Sequence, residues 1–134
     1  MNRVLLSLIL GSTLLVIGCS KKSSNNPVSV INDPPPAKSV TFTMHLESGT
    51  QGMIFVATPS EDVTIAKVDI SFPAQGFAET VENPNPTAVI AKNSNIQIQE
   101  YVGVDAGQKW VLTFYGTIAS TGKSFKITVN WDVV

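Results

Sequence analysis

The chain has 134 residues and a formal net charge of -1, with nine lysines and arginines against ten aspartates and glutamates. Its length allows one folded domain plus an extension. A chain with this near-neutral charge lacks the excess of basic residues with which proteins bind nucleic acid. Arg3, the only arginine, lies in a segment that we expect to be removed. We therefore expect no nucleic acid or nucleotide partner.

An apolar run from Val4 to Ile17 follows a short basic start. At about 14 residues it is shorter than the roughly 20 that a membrane-spanning helix needs, and its flanks are typical of a signal peptide. The run ends in Val16-Ile17-Gly18-Cys19, which resembles the lipobox of bacterial lipoproteins. The resemblance implies a diacylglyceryl group on the Cys19 thiol and cleavage between Gly18 and Cys19, so that residues 1–18 form a lipoprotein signal peptide. An ordinary secretory signal, or a cytosolic protein with a buried cysteine, is the alternative.

The lipid on Cys19 would make the membrane the first partner of the protein. The amine freed by cleavage can be acylated as well, and two or more acyl chains hold a protein stably on a bilayer. By resemblance to enteric lipoproteins, Ser20 directly after the cysteine favours the outer membrane. The expected location is therefore the bacterial cell envelope. Cys19 is also the only cysteine, so the domain has no internal disulfide.

Residues 19–37 are dominated by serine, asparagine and proline. Such a composition buries too little apolar surface to offset the entropy of ordering the chain. Pro34–Pro36 stiffens the end next to the domain toward a polyproline II conformation. We interpret the segment as a flexible tether that follows the lipidated cysteine, with a proline-rich recognition motif as the alternative.

From residue 38 to residue 134 the apolar residues recur with a period of two, which is typical of half-buried antiparallel strands. Within 63–72 the apolar phase slips, and a bulge near Ala66 and Lys67 would reconcile its two halves. Ser120-Thr121-Gly122 marks a hairpin in which Gly122 supplies the left-handed residue. Strands are predicted at 40–46, 53–58, 63–72, 77–82, 87–91, 95–102, 109–118 and 124–133.

About eight short strands in one domain predict an all-β, two-sheet antiparallel sandwich. Size and pattern resemble the immunoglobulin and fibronectin type III group, although no Cys…Trp…Cys framework is present. A small closed barrel is the alternative. The alternation places Trp110 and Trp131 on the inner faces of their strands, where core packing is favoured over a sugar-binding surface.

The sequence offers few parts for catalysis. His45 is the only histidine, and the alternation puts it on the outer face of the first strand. With a lipidated cysteine, a zinc or copper site has almost no ligands. The run "GTIASTGKS" departs from a phosphate-binding loop because five residues, rather than four, separate Gly116 from Gly122. We expect no catalytic residue, no metal site and no cofactor.

Acidic residues supply oxygen atoms for calcium, but no calcium-binding loop motif is present. Among them, Asp105 lies in a loop with Gly103 and Gly107 and is the candidate for contact with a ligand. Solvated strand and loop charges are the alternative for the set as a whole. The acidic residues considered are Asp62, Asp69, Glu79, Glu82, Glu100 and Asp105.

These observations favour a non-enzymatic envelope lipoprotein whose sandwich binds an envelope protein or an extracellular ligand, or has a structural role. Loops supply most recognition on such scaffolds, and the candidate loops are 47–52, 73–76, 83–86 and 103–108. One alternative is an accessory or inhibitor subunit that pairs a strand edge with a larger envelope protein. A hydrolase that depends on His45 is a third possibility.

Overall fold

The computed structural model describes residues 39–134. The predicted lipidation site Cys19, the cleavage point after Gly18 and the tether lie outside the described residues. Alternating apolar and polar residues produce seven strands, and the described part of the chain has no α-helix, only a short 3₁₀ turn at Pro73–Gln75. The strands are β1 (Phe42–Ser48), β2 (Met53–Pro59), β3 (Val63–Phe72), β4 (Phe77–Glu82), β5 (Ile96–Tyr101), β6 (Lys109–Ile118) and β7 (Ser124–Asp132).

The strands form two antiparallel sheets. The first sheet has the order β1-β2-β5 and the second has the order β4-β3-β6-β7. This three-plus-four arrangement is an immunoglobulin-like β-sandwich, as the sequence predicted. The sheets do not close into one barrel, so the barrel alternative is wrong.

The predicted strand at 87–91 is absent. Only Ile90 pairs there, in a single bridge in which it exchanges two backbone hydrogen bonds with Val63. A turn closed by the Ala88 N–H on the Asn85 carbonyl precedes the bridge, and a turn from Ala91 to Ser94 follows it. The two turns leave no length for a strand, although the run is apolar.

The bulge and the hairpin were predicted correctly. The register of β3 against β6 shifts between Ile65 and Lys67, which leaves Ala66 exposed and returns Val68 and Ile70 to the core. Gly122 turns the chain between β6 and β7 with φ at +67°. The bulge keeps the apolar residues of both halves of β3 on the inner face. The turn sets the register of β7 against β6 and so keeps the apolar residues of β7 on that face.

The core fills the space between the sheets. Trp110 is 5% exposed and fully part of it, whereas Trp131 is half-buried and packs against it, so both lie on the predicted inner face. Near the amino-terminal end of β1, Phe42 stacks on Phe114 with ring centroids 4.1 Å apart. The completely buried side chains include Phe55, Val63, Ile70, Leu112 and Phe114.

Candidate functional site

The sandwich has two distinct ends. The chain enters the described part at Ser39, and Thr41 joins this end by hydrogen bonds with Ser60. We call this the entry end; it also holds the connections 60–62, 83–95 and 119–123. The opposite, far end holds the connections 49–52, 73–76 and 102–108. Three of the four predicted recognition loops thus meet at the far end, and the loop at 83–86 lies at the entry end.

The far end contains a cluster of aromatic rings. Trp110 stacks on Phe72 with centroids 4.8 Å apart, and Phe55 meets Trp110 and Trp131 edge-on at 4.9 Å and 5.0 Å. Tyr101 lies 4.8 Å from Phe55 and 5.3 Å from Trp110. Edge-to-face and offset contacts of this kind stabilise a fold beyond the area they bury. The cluster therefore packs the far end of the core beneath the far-end loops.

A recess lined largely by aromatic side chains opens beside this cluster. The far-end recess has a volume of about 130 Å³ and exposes Phe77 to 36% and Val102 to 77%. Phe77 also contacts Tyr101 and Trp110 edge-on at 5.9 Å and 6.0 Å. Its lining comprises Phe72, Gln75, Phe77, Tyr101, Val102, Gly103 and Trp110.

The loop along one side of the far-end recess is held by hydrogen bonds. The Gln108 side chain donates to the Gly103 carbonyl at 2.9 Å and accepts from the Trp110 indole N–H at 3.0 Å. The Gly107 N–H donates to the carbonyl of Val133 at 2.7 Å. Asp105 lies exposed on this loop, and its carbonyl accepts the Gln108 N–H at 3.3 Å. Contact of Asp105 with a ligand stays a prediction.

Glu79 and Tyr101 join the two sheets behind the far-end recess. The Tyr101 hydroxyl donates a hydrogen bond to Glu79 Oε1. Burial, together with the neighbouring Glu79 carboxylate, raises the pKa of Tyr101 above its ordinary value. The alternation of β4 gives Glu79 the same inward direction as Phe77 and Val81, but nothing in the sequence named Tyr101 as its partner.

The loop at 49–52 closes around a carboxylate. Glu100 Oε1 accepts the backbone N–H groups of Gln51 at 2.5 Å and Gly52 at 2.6 Å, and Oε2 accepts the Thr50 hydroxyl at 3.3 Å. These backbone donors lower the pKa of Glu100. Glu100, a calcium candidate on sequence grounds, is thus occupied by its own loop.

A second apolar opening lies on the flank of the sandwich, where the edge strands β4 and β5 diverge. This side slot has a volume of about 250 Å³ and is in the half nearer the entry end. Core residues form its floor, and the connection 83–90 forms one rim. The aliphatic lining comprises Ile65, Val68, Val81, Ala88, Ile90, Ile96 and Ile98.

The outer face of the first sheet carries His45, as predicted. Its Nε2 atom lies 3.5 Å from Glu47 Oε1, and its side chain is 41% exposed. Glu47 also accepts the Gln97 amide at 2.9 Å, across the central strand and its fully buried Val56.

The outer face of the second sheet is polar. Lys67 and Lys126 lie over the Tyr115 ring, at 4.7 Å and 5.5 Å from its centroid. The Thr80 hydroxyl donates to Asp69 at 2.7 Å, and this bond is the main cause that lowers the pKa of Asp69. Lys67 Nζ also lies 3.8 Å from Asp69 Oδ1, so these two charges of the face are paired.

Within residues 39–134, no three His, Cys, Asp or Glu side chains come close enough to share a metal ion. The Asp62 carboxylate binds the 83–95 connection at the entry end, because it accepts the backbone N–H of Lys92 at 2.7 Å. The Gly122-Lys123-Ser124 run joins two strands of a hairpin, so the incomplete phosphate-loop pattern has no helix to bind phosphate.

Comparison with protein-family models, with curated proteins and with solved structures finds no match to this chain. In the described part of the chain, no helix has the length and apolar character needed to cross a bilayer.

Proposed function

We propose that this protein is a lipid-anchored envelope protein that presents its β-sandwich as a non-enzymatic binding module. The Cys19 lipid holds the chain on the bacterial outer membrane, residues 20–37 act as a spacer, and the far-end recess binds a partner through apolar contact. In this proposal Phe77 and Val102 are the contact residues, and Asp105 adds a polar contact from the neighbouring loop.

One observation carries the proposal: the chain enters the sandwich at the end opposite the far-end recess. A tether that leads into Ser39 attaches at the other end of the sandwich and leaves the far-end recess open to a partner. Flexible linkers of 18 residues span roughly 24 Å on average, which gives the domain room above the bilayer. Anchor, spacer and binding domain then follow one another in order along the sequence.

The far-end recess also has the properties of a binding surface. Phe77 and Val102 are large apolar side chains that stay partly in water, and both line the same concavity. Isolated exposed apolar residues are common, whereas Phe77 and Val102 line one concavity over the aromatic cluster. The hydrogen bonds of Gln108 hold the adjoining loop in place, which lowers the entropic cost of binding.

The anchor is tested by membrane fractionation and by mass spectrometry of the mature amino terminus. We expect the wild-type chain in the membrane fraction, starting at Cys19 with acyl chains attached. The Cys19→Ser variant should carry no lipid and should therefore leave the membrane fraction. The matched variant Ser24→Ala should behave like wild type. An unlipidated chain that starts at Met1 would contradict the anchor.

The far-end recess is tested by site-specific photocrosslinking in the native envelope. A crosslinking amino acid at Gln75, which lines the recess, should give a discrete adduct, and one at Ala119 at the entry end should not. Val102→Asp in the same chain should abolish the Gln75 adduct because it places a charge in the apolar contact. An adduct that survives this change would exclude the recess as the contact.

The edge of β5 supports a second candidate function, strand-edge pairing with a larger envelope protein. Gln97 and Gln99 are uncharged, and the only acid of β5, Glu100, is engaged with the 49–52 loop. The edges of β1, β4 and β7 carry charged side chains, which protect edges from pairing, whereas β5 has an irregularity between Gln97 and Gln99 where its register against β2 shifts. Gln99→Lys should weaken such a complex, whereas Thr128→Lys on β7 should not. Equal effects of the two variants would contradict pairing at β5.

A further inference from the structure

We propose that the side slot binds the alkyl chain of a membrane lipid. The floor of the slot is formed by Ile65 and Val68, which are nearly buried, and its walls by half-buried aliphatic residues of β4, β5 and the 83–90 connection. The identity of the lipid source rests on the proposed membrane anchor, whereas the affinity of the slot for alkyl chains does not.

Two polar side chains at the rim, Asn83 and Gln97, are paired within the protein, whereas Glu82 and Asn85 are exposed to solvent. The Asn83 amide donates to the Ile65 carbonyl at 2.7 Å, and its oxygen accepts the Asn85 N–H at 3.0 Å. The Gln97 amide donates to Glu47. No buried polar side-chain atom of residues 39–134 lacks a hydrogen-bond partner. The slot thus recognises its occupant by hydrocarbon contact.

The volume of the slot matches a medium-length alkyl chain. A dry cavity of about 150 Å³ lined by aliphatic and aromatic residues binds benzene, which has six carbons. In proportion, the side slot, at about 250 Å³, accommodates roughly ten carbons. Its apolar walls are aliphatic, and the polar residues Glu82, Asn83, Asn85 and Gln97 complete the lining, in contrast to the aromatic lining of the smaller far-end recess.

The position and charge of the slot favour a lipid chain over a free fatty acid. The slot lies toward the entry end, which is the end nearest to the proposed anchor along the chain, and Val89 on its connection is 62% exposed. Glu82 lines the rim, and its carboxylate repels the carboxylate of a fatty acid. An alkyl chain under an uncharged or zwitterionic headgroup avoids that repulsion.

Nonionic alkyl glucosides below their micelle concentration provide the first test. The protein is residues 19–134 with Cys19→Ser, so that it has no acyl chain of its own. We expect the affinity to rise about fourfold with each added methylene, from 0.8 kcal/mol per buried CH₂, and to level off near ten carbons. Methyl NMR signals of Ile65, Ile96 and Ile98 should shift, and that of Ile127 should not. An affinity independent of chain length would overturn the proposal.

Two matched substitutions locate the binding. Ala88→Phe places a ring in the slot and should reduce the affinity for decyl glucoside at least tenfold, whereas Ala78→Phe, on the outer face of the same sheet edge, should leave it unchanged. Ala88→Asp is the second slot variant and should have the same effect as Ala88→Phe. Circular dichroism and the thermal midpoint verify that each variant folds. Equal losses for Ala78→Phe and the slot variants would overturn the assignment.

Vesicles distinguish the lipid source. Wild-type lipidated protein on vesicles of phosphatidylethanolamine and phosphatidylglycerol with spin-labelled acyl chains should show relaxation enhancement at the Ile98 methyl group, and Ala88→Phe should remove it. Glucoside binding without this enhancement would contradict a membrane lipid as the occupant. If the wild-type protein is absent from the membrane fraction but still binds glucosides, the anchor is contradicted. The slot would then remain a binding site for alkyl chains.

Discussion

The Tyr101 hydroxyl donates a hydrogen bond to the Glu79 carboxylate and so joins the edge strand of one sheet to the edge strand of the other. The two residues come from β5 and β4, which share no backbone ladder. An inward-facing acid on an edge strand also discourages pairing with another chain. One contact therefore contributes to sheet packing and to protection of the β4 edge.

Tyr101→Phe should destabilise the fold by about 1 kcal/mol. A hydrogen bond to a charged acceptor contributes about 1.5–3 kcal/mol when buried, and water competes at this half-buried position. Urea unfolding at pH 7 measures the effect. Glu79→Gln retains an acceptor and should cost less. If Tyr101→Phe leaves the free energy of unfolding unchanged, the hydrogen bond stabilises the fold no more than hydrogen bonds to water stabilise the unfolded chain.

The same tyrosine should make stability depend on alkaline pH. Its pKa is raised in the folded state, above the value near 10 of an unfolded tyrosine. Stability from the protonated phenol is thus fully present below pH 10 and is lost as the pH rises above it, because the unfolded chain releases the proton first. Unfolding from pH 8 to 11.5 should show this decline, and it should be weaker in Tyr101→Phe. An identical decline in both proteins would contradict the assignment.

Glu100 should make stability depend on acidic pH. Its pKa is lowered by the Gln51 and Gly52 N–H groups, so its contribution is present above the unfolded pKa and is lost as the pH falls through the folded pKa. Glu100→Gln should lower the urea midpoint at pH 7, and its difference from wild type should shrink toward pH 2. Gln51→Ala keeps the backbone donor and should retain the wild-type pH profile. A loss for Glu100→Gln that is constant with pH would contradict this role.

The two tryptophans should differ in their importance. Trp110→Ala should cost about 3–5 kcal/mol because the ring is almost fully buried. Trp131 meets Phe55 edge-on but remains partly in water, so Trp131→Ala should cost less, about 2–3 kcal/mol. Denaturant unfolding of both variants decides the order. A larger loss of stability for Trp131→Ala than for Trp110→Ala would contradict this order and would make Trp131 of β7 the more important ring of the aromatic cluster.

The fold could be predicted because its signals are local. Alternation along β3, β6 and β7 defined their inner faces, and the phase slip inside β3 located a bulge that the structure places between Ile65 and Lys67. The error at 87–91 has a local cause of a different kind. The residues there are apolar enough to resemble a strand. Turns on both sides restrict backbone pairing to Ile90, however, and the strand propensity of single residues does not report such a limit.

The candidate sites depend on contacts between strands far apart in sequence. Phe77 and Val102 are 25 positions apart and meet only because β4 and β5 lie on facing sheets. Each strand's alternation indicated which residues face inward, but not the register that brings Glu79 to Tyr101. The side slot is a gap between two edges, and a sequence pattern describes strands rather than the space between them.

A side chain at Gly116 should destabilise the fold, because β3 and β6 approach closely beside the bulge. A Cβ atom at Gly116 would meet the Thr64 carbonyl and the Phe125 ring closer than van der Waals contact allows, and the carbonyl is backbone that cannot swing aside. Gly116→Ala should therefore cost about 1–3 kcal/mol, as overpacked sites do. Ser124→Ala, at the exposed start of β7, should stay within about 0.5 kcal/mol. Hydrogen exchange at Thr117, which pairs with Thr64, should accelerate in Gly116→Ala alone. Wild-type exchange and stability in that variant would show that the strands have room to separate.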